Sequence, residues 1–98
     1  MGAYAAAKAG LVGLVQVLAA EHGRQGIRVN ALLPGGTRTA MAGTDPAVLE
    51  RVAGLHALGR IAEPAEIAEA AAFLLSERAS FVTGAAVLAD GGNSVFKG

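Results

Sequence analysis

A tyrosine and a lysine stand four residues apart near the start of this chain, in Tyr4-Ala5-Ala6-Ala7-Lys8. That spacing sets a phenol and an ammonium on one face of a helix, one turn apart. A phenol ordinarily gives up its proton near pH ~10, but a cation held beside it favours the phenolate and brings the group toward acid/base work at neutral pH. Alone the pair carries little weight, because a solvated lysine beside a half-buried tyrosine has the same spacing. Its meaning depends on what the other residues build around it.

The helix carrying the pair is expected from Ala3 to about His22. The segment is alanine-rich, no proline precedes Pro34, and Leu11, Leu14, Val15 and Leu18 recur on one stripe. Gly10 and Gly13 each cost about 1 kcal/mol against alanine, which close packing on both sides of the helix would offset. Gly23 is placed to cap the C-terminus, with Arg24-Gln25-Gly26 turning the chain away. Lys8 and Gln16 interrupt the apolar run, which falls short of the ~20 residues of a membrane span and has no basic segment before it. The reading is a buried helix of a soluble protein.

Ile27 to Leu33 is a mainly apolar run closed by Pro34-Gly35-Gly36, the pattern of a parallel strand buried on both faces. A βαβ unit needs a strand before the helix, and the chain starts at Met1 with no room for one, so an upstream part is expected to be absent. Pro34 to Thr44 is rich in glycine and threonine and lies where open α/β sheets bind ligands. Asp45-Pro46 supplies a cap and a first helical residue for a short helix from Ala47 to about Leu55. Pro64 opens another helix to about Ser76, with Glu63 and Glu66 at its positive end and Ile67, Ala70, Ala71, Leu74 and Leu75 on its buried face. Ala85 to Ala89 is a second strand, ending at Asp90-Gly91-Gly92. His22 and His56 read as surface or helix-end residues, since neither has companions at ligand spacing, and no metal site is expected.

With 98 residues and 53% hydrophobic content, and a mean hydropathy of +0.48, the chain makes at most one domain. It is more apolar than a chain this small can bury, which points to a missing partner or a missing half. Eight basic side chains balance eight acidic ones, so no basic field exists for nucleic acid or a membrane surface. Aromatics at 4%, with no tryptophan, leave few platforms for stacked bases. The absence of cysteine rules out disulfides and thiolate metal sites, in keeping with a reducing cytoplasm.

Taken together, Tyr4-Ala-Ala-Ala-Lys8, Arg28-Val29-Asn30 leading to Pro34-Gly35, Thr39, Gly59-Arg60 before Pro64, and Val82-Thr83-Gly84 before Asp90-Gly91-Gly92 resemble, in order and spacing, the C-terminal part of the short-chain dehydrogenase/reductase family. The resemblance covers nearly the whole chain. It implies an α/β fold, the C-terminal portion of a doubly wound, Rossmann-like parallel-sheet domain, in one partial domain over residues 1–98 with the N-terminal half absent. It further implies an oxidoreductase that moves hydride between NAD or NADP and a small alcohol or carbonyl, in a cytoplasmic homo-oligomer. Tyr4 corresponds to the general acid/base, and Lys8 to the residue that holds the nicotinamide ribose and favours the phenolate. Pro34, Gly35, the Thr37 backbone and Thr39 correspond to the loop around the nicotinamide. At Thr37 the family more often has Val or Ile, which leaves only a backbone role by resemblance, and threonines that merely cap their own loop are the alternative. Ala40 to Leu58 corresponds to the substrate cover, with Met41, Leu49, Val52 and Leu55 as pocket candidates that core packing explains equally well. Asp90-Gly91-Gly92 is given a structural or subunit-contact role. The family's phosphate loop, NAD/NADP selector, Asn and Ser all precede the tyrosine, so the pyrophosphate and adenosine have no site here. The chain on its own is therefore expected to be inactive. Two rival readings are a non-catalytic packing or oligomerisation module derived from that fold, and a gene fragment.

Overall fold

The computed structural model describes residues 2–39 and 43–97, in two compact units. The first comprises residues 1–32 and 73–87, the second residues 33–72 and 88–98. Helix α1 (Gly2–His22), strand β1 (Ala31–Pro34), helix α2 (Pro46–Ala53), helix α3 (Pro64–Leu75) and strand β2 (Ala86–Ala89) follow in order. β1 and β2 pair in a two-stranded sheet. Ala31 N–H donates to Ala85 C=O and Gly35 N–H to Ala89 C=O; the partners advance together along both strands, so the pairing is parallel.

In the first unit α1 ends in a 3-10 turn, Gly23–Gln25, and the left-handed residue that closes it is Gly26, at φ 78°. The cap falls three residues beyond Gly23 because the extra turn tightens the helix end before the chain reverses. The strand is likewise shorter than the apolar run. Before Ala31 one backbone bond, Gly84 N–H to Val29 C=O at 2.7 Å, is joined by side chains: Val29 N–H donates to Thr83 Oγ1, and the Asn30 carboxamide donates to Val82 C=O while accepting from Ala85 N–H. The Arg28 guanidinium donates to the carbonyls of Leu74, Val82 and Ser76, so one side chain satisfies orphan acceptors at the exit of α3. Val15, Ala19, Ala31, Leu74 and Ala79 are buried.

Much of the expected apolar stripe is uncovered. Val15 is buried, but Leu11, Leu14 and Val17 are about half exposed and Leu75 is 84% exposed. A Cβ added to Gly10 or Gly13 meets nothing within 4 Å, so the close packing expected of these glycines is not supplied by the described residues. α1 is long and apolar enough to cross a membrane by length and composition, and only a small part of it is buried. The expectation of a buried helix is thus met only along the Val15–Ala19 edge.

In the second unit the Asp45 carboxylate accepts from Ala47 N–H and Pro46 takes the first position of α2, as the Asp-Pro pair requires. At the start of α3, Glu63 N–H donates to Glu66 Oε1 across Pro64, half of a capping box. Leu49 and Val52 are half-buried and Leu55 is exposed. Met41 lies outside the described residues.

Candidate functional site

The first unit carries the Tyr4–Lys8 pair. Tyr4 is 64% exposed and the Lys8 ammonium lies 6.0 Å from the centre of its ring, at the outer limit of cation–π attraction. Helical periodicity alone brings them together. Their helix is seated at its other end, where Ala19 Cβ would lie 3.5 Å from a Cβ on Gly84.

The second unit carries the loop after β1. Gly36 C=O accepts from Ala62 N–H and Arg38 N–H donates to Ala62 C=O, both at 2.8 Å, so Thr37 and Ala62 form an isolated parallel bridge. The Thr37 hydroxyl donates to Gly35 C=O at 3.0 Å, which turns that side chain onto its own loop. Pro34 and Thr39 are exposed, and Gly35 and Thr37 half-buried. Gly35 must be glycine on packing grounds, because a Cβ there would stand 2.8 Å from both Asp90 Cα and His56 Nε2.

A cleft of about 180 Å³ opens beside this loop, lined in part by Gly35, Gly36, His56, Arg60, Glu66 and Asp90. Asp90 is buried and its two oxygens accept from Gly92 N–H and Ser94 N–H. The Ser94 side chain and N–H, with Gly92 N–H, hold its carboxyl below the usual range. Arg60 grips Glu66 through two parallel hydrogen bonds. Among the described residues no cluster of three or more His, Cys, Asp or Glu could hold a metal ion.

His56 departs most from its sequence reading. It is 3% exposed, with Nε2 accepting from Gly36 N–H at 3.0 Å and Nδ1 2.9 Å from Val52 C=O. Its place four residues after Val52, on the inward face of a helix end, was the one signal in the sequence.

A family model described as Enoyl-(Acyl carrier protein) reductase matches residues 1–94. Among curated proteins, a 2,5-dichloro-2,5-cyclohexadiene-1,4-diol dehydrogenase of Sphingobium indicum is 48% identical over 93% of this chain and 38% of its own length. A (3R)-3-hydroxyacyl-CoA dehydrogenase of Canis lupus familiaris is 46% identical over 91% of this chain and 35% of its own. Among solved structures, a 4-hydroxyisoleucine dehydrogenase complexed with NADH superposes with a TM-score of 0.85 at 33% identity, covering 98% of this chain and 41% of that one. The chain thus spans well under half the length of the relatives it matches. A parallel strand pair with helices before and between its strands, and likeness to these dehydrogenases over nine-tenths of its residues, make the chain a member of the short-chain dehydrogenase/reductase family, matching the C-terminal part of its Rossmann-like domain.

Proposed function

We propose that this chain is the C-terminal part of an NAD(P)-dependent oxidoreductase interconverting an alcohol and a carbonyl, with Tyr4 as the general acid/base. The observation that carries the reading is the exposed Tyr4 phenol one helical turn from the Lys8 ammonium, in a chain of this family. The relatives support the class of substrate, since their names denote dehydrogenation of a diol and of a hydroxyacyl thioester.

The residues suit the nicotinamide end of the cofactor. Lys8 supplies a donor with three protons for ribose hydroxyls, and the loop from Pro34 to Thr39 leaves the C-terminal end of a parallel strand, where such sheets take ligands. Bound nicotinamide supplies or accepts hydride at the substrate carbon. Tyr4 Oη gives a proton to the substrate oxygen in reduction and takes it back in oxidation. Lys8 would orient the ribose through its ammonium donors. The Pro34, Gly35, Thr37 and Thr39 backbone would hold the nicotinamide, while the Thr37 hydroxyl secures the loop. Gly35-Gly36 leads into the bridge with Ala62 instead of a helix, so among the described residues the pyrophosphate finds no phosphate loop. Leu49 and Val52 contribute apolar surface to the substrate side. In this reading α1 is a core helix of a soluble, cytoplasmic, homo-oligomeric enzyme, and residues 1–98 alone are inactive.

The exposed Leu11, Leu14 and Val17 also suit a packing or oligomerisation module without catalysis. Turnover separates the two. In a full-length relative carrying this segment, Tyr4→Phe abolishes most activity under the enzymatic reading and leaves it intact under the other. An in-frame glycine-rich loop encoded upstream of Met1 would likewise favour the enzyme.

A further inference from the structure

A buried imidazole with both nitrogens engaged has a defined protonation pattern. Gly36 N–H can only donate, so His56 Nε2 must carry its lone pair; Val52 C=O can only accept, so Nδ1 must carry the proton. The ring is also enclosed. A Cβ on Gly36 would lie 3.0 Å from Cε1, and one on Gly91, at φ +56°, 3.4 Å from Cδ2. The backbone after β1 and the backbone after β2 both approach the same ring, and glycine at each place permits it. The charged groups sharing the cleft are occupied elsewhere: Asp90 by Gly92 and Ser94, and Arg60 and Glu66 by each other.

We infer that His56 is a positioning residue: its neutral ring, protonated on Nδ1, holds Gly36 N–H and thereby sets the Gly35–Thr39 loop for the nicotinamide. The inference rests on the cofactor reading above and assigns to that loop an internal clamp 20 residues downstream. A side chain without an acceptor at this place leaves Gly36 N–H without its partner and frees the loop at one identified bond.

The test uses a full-length relative carrying this segment, with two substitutions. His56→Gln can place Oε1 near the former Nε2 and keep the acceptor; His56→Phe keeps aromatic bulk and loses it. Titration with NADH and NADPH should show His56→Phe binding the preferred cofactor about tenfold more weakly, the scale of one buried donor left unpaired. His56→Gln should stay within about threefold of the parent, and turnover at saturating cofactor should change less than affinity in both. In hydrogen exchange, the Gly36 amide should be protected in the parent and in His56→Gln and exchange faster in His56→Phe. Equal losses in the two variants, or a lower melting temperature with unchanged cofactor affinity, would overturn the inference and reduce His56 to a packing residue. A Gly36 amide that exchanges equally fast in the parent and in His56→Phe would overturn it on geometry alone. Failure of the enzymatic reading shows elsewhere, as unchanged turnover in Tyr4→Phe.

Discussion

Arg60 and Glu66 face each other through two parallel hydrogen bonds, Nη1 to Oε1 at 2.7 Å and Nη2 to Oε2 at 2.8 Å, while Glu66 Oε1 also accepts from Glu63 N–H. One carboxylate therefore closes the N-terminal turn of α3 and fastens the segment before it.

Arg60, with help from Glu63 N–H, lowers the Glu66 carboxyl from 4.5 to about 2. A depressed folded-state value means the unfolded chain binds more protons between these two pH values. The contribution is therefore present above about pH 4.5 and lost as pH falls toward about 2. Solvent screening keeps it small, since both side chains are about half exposed. Urea unfolding of the full-length parent and Glu66→Gln at pH 7 and pH 3 should show the parent losing more stability on acidification. Equal losses would mean the pair contributes nothing in solution.

Gly35→Ala should destabilise the fold by about 1–3 kcal/mol, the usual scale of overpacking. The new methyl would be driven against Asp90 Cα, and backbone cannot turn aside as a flexible side chain would. Gly10→Ala, where a Cβ meets nothing in the described residues, tests the opposite case. In a full-length relative, loss of stability there would reveal an outside element packed against α1, and a gain would reveal open space.

Tyr4→Phe in a full-length relative should lower turnover by roughly 10²–10⁴, the range for a general acid/base, with little change in cofactor affinity. Lys8→Met should weaken cofactor binding and slow turnover together. Steady-state kinetics with separate cofactor titration distinguishes them. Turnover of the tyrosine variant within threefold of the parent would end its assignment.

As a separate polypeptide, residues 1–98 should self-associate and should not bind NAD(H) or NADP(H) at micromolar affinity. Leu11, Leu14, Val17 and Leu75 are exposed and Phe81 is fully so, and the loop after β1 leads into the Thr37–Ala62 bridge and opens no phosphate-binding helix. Sedimentation and calorimetric titration give the answer. A monodisperse monomer with micromolar affinity would contradict the expectation.

Features set by neighbours in sequence were the legible ones. Asp45-Pro46 and Glu63-Pro64 announce their helices, and Tyr4 and Lys8 meet because four residues make about one turn. Features set by distant backbone were hidden. Nothing near His56 tells that its acceptor nitrogen serves Gly36, and nothing near Arg28 tells that it ends on three carbonyls 46 to 54 residues away. The Gly26 cap was obscured by an equally suitable Gly23, and the coverage of Leu75 and Leu14 cannot be read from periodicity, which gives a face but not its partner. For the candidate site the spacing of Tyr4 and Lys8 and the glycine- and threonine-rich loop were legible, and the His56–Gly36 hydrogen bond beneath that loop was not.

The parallel pairing of β1 with β2 also sets a chain-entropy cost on folding. Val29 and Thr83, at the mouth of the pair, are 54 residues apart, and closing a loop of that size costs about 3–4 kcal/mol of chain entropy before the first strand bond forms. The bonds that shorten this path are those of α2, α3 and the Thr37–Ala62 bridge, which fold the intervening chain back on itself. The strands are therefore expected to zip last, and substitutions that loosen Arg38, His56 or Ala62 should slow refolding more than substitutions on the free face of α1.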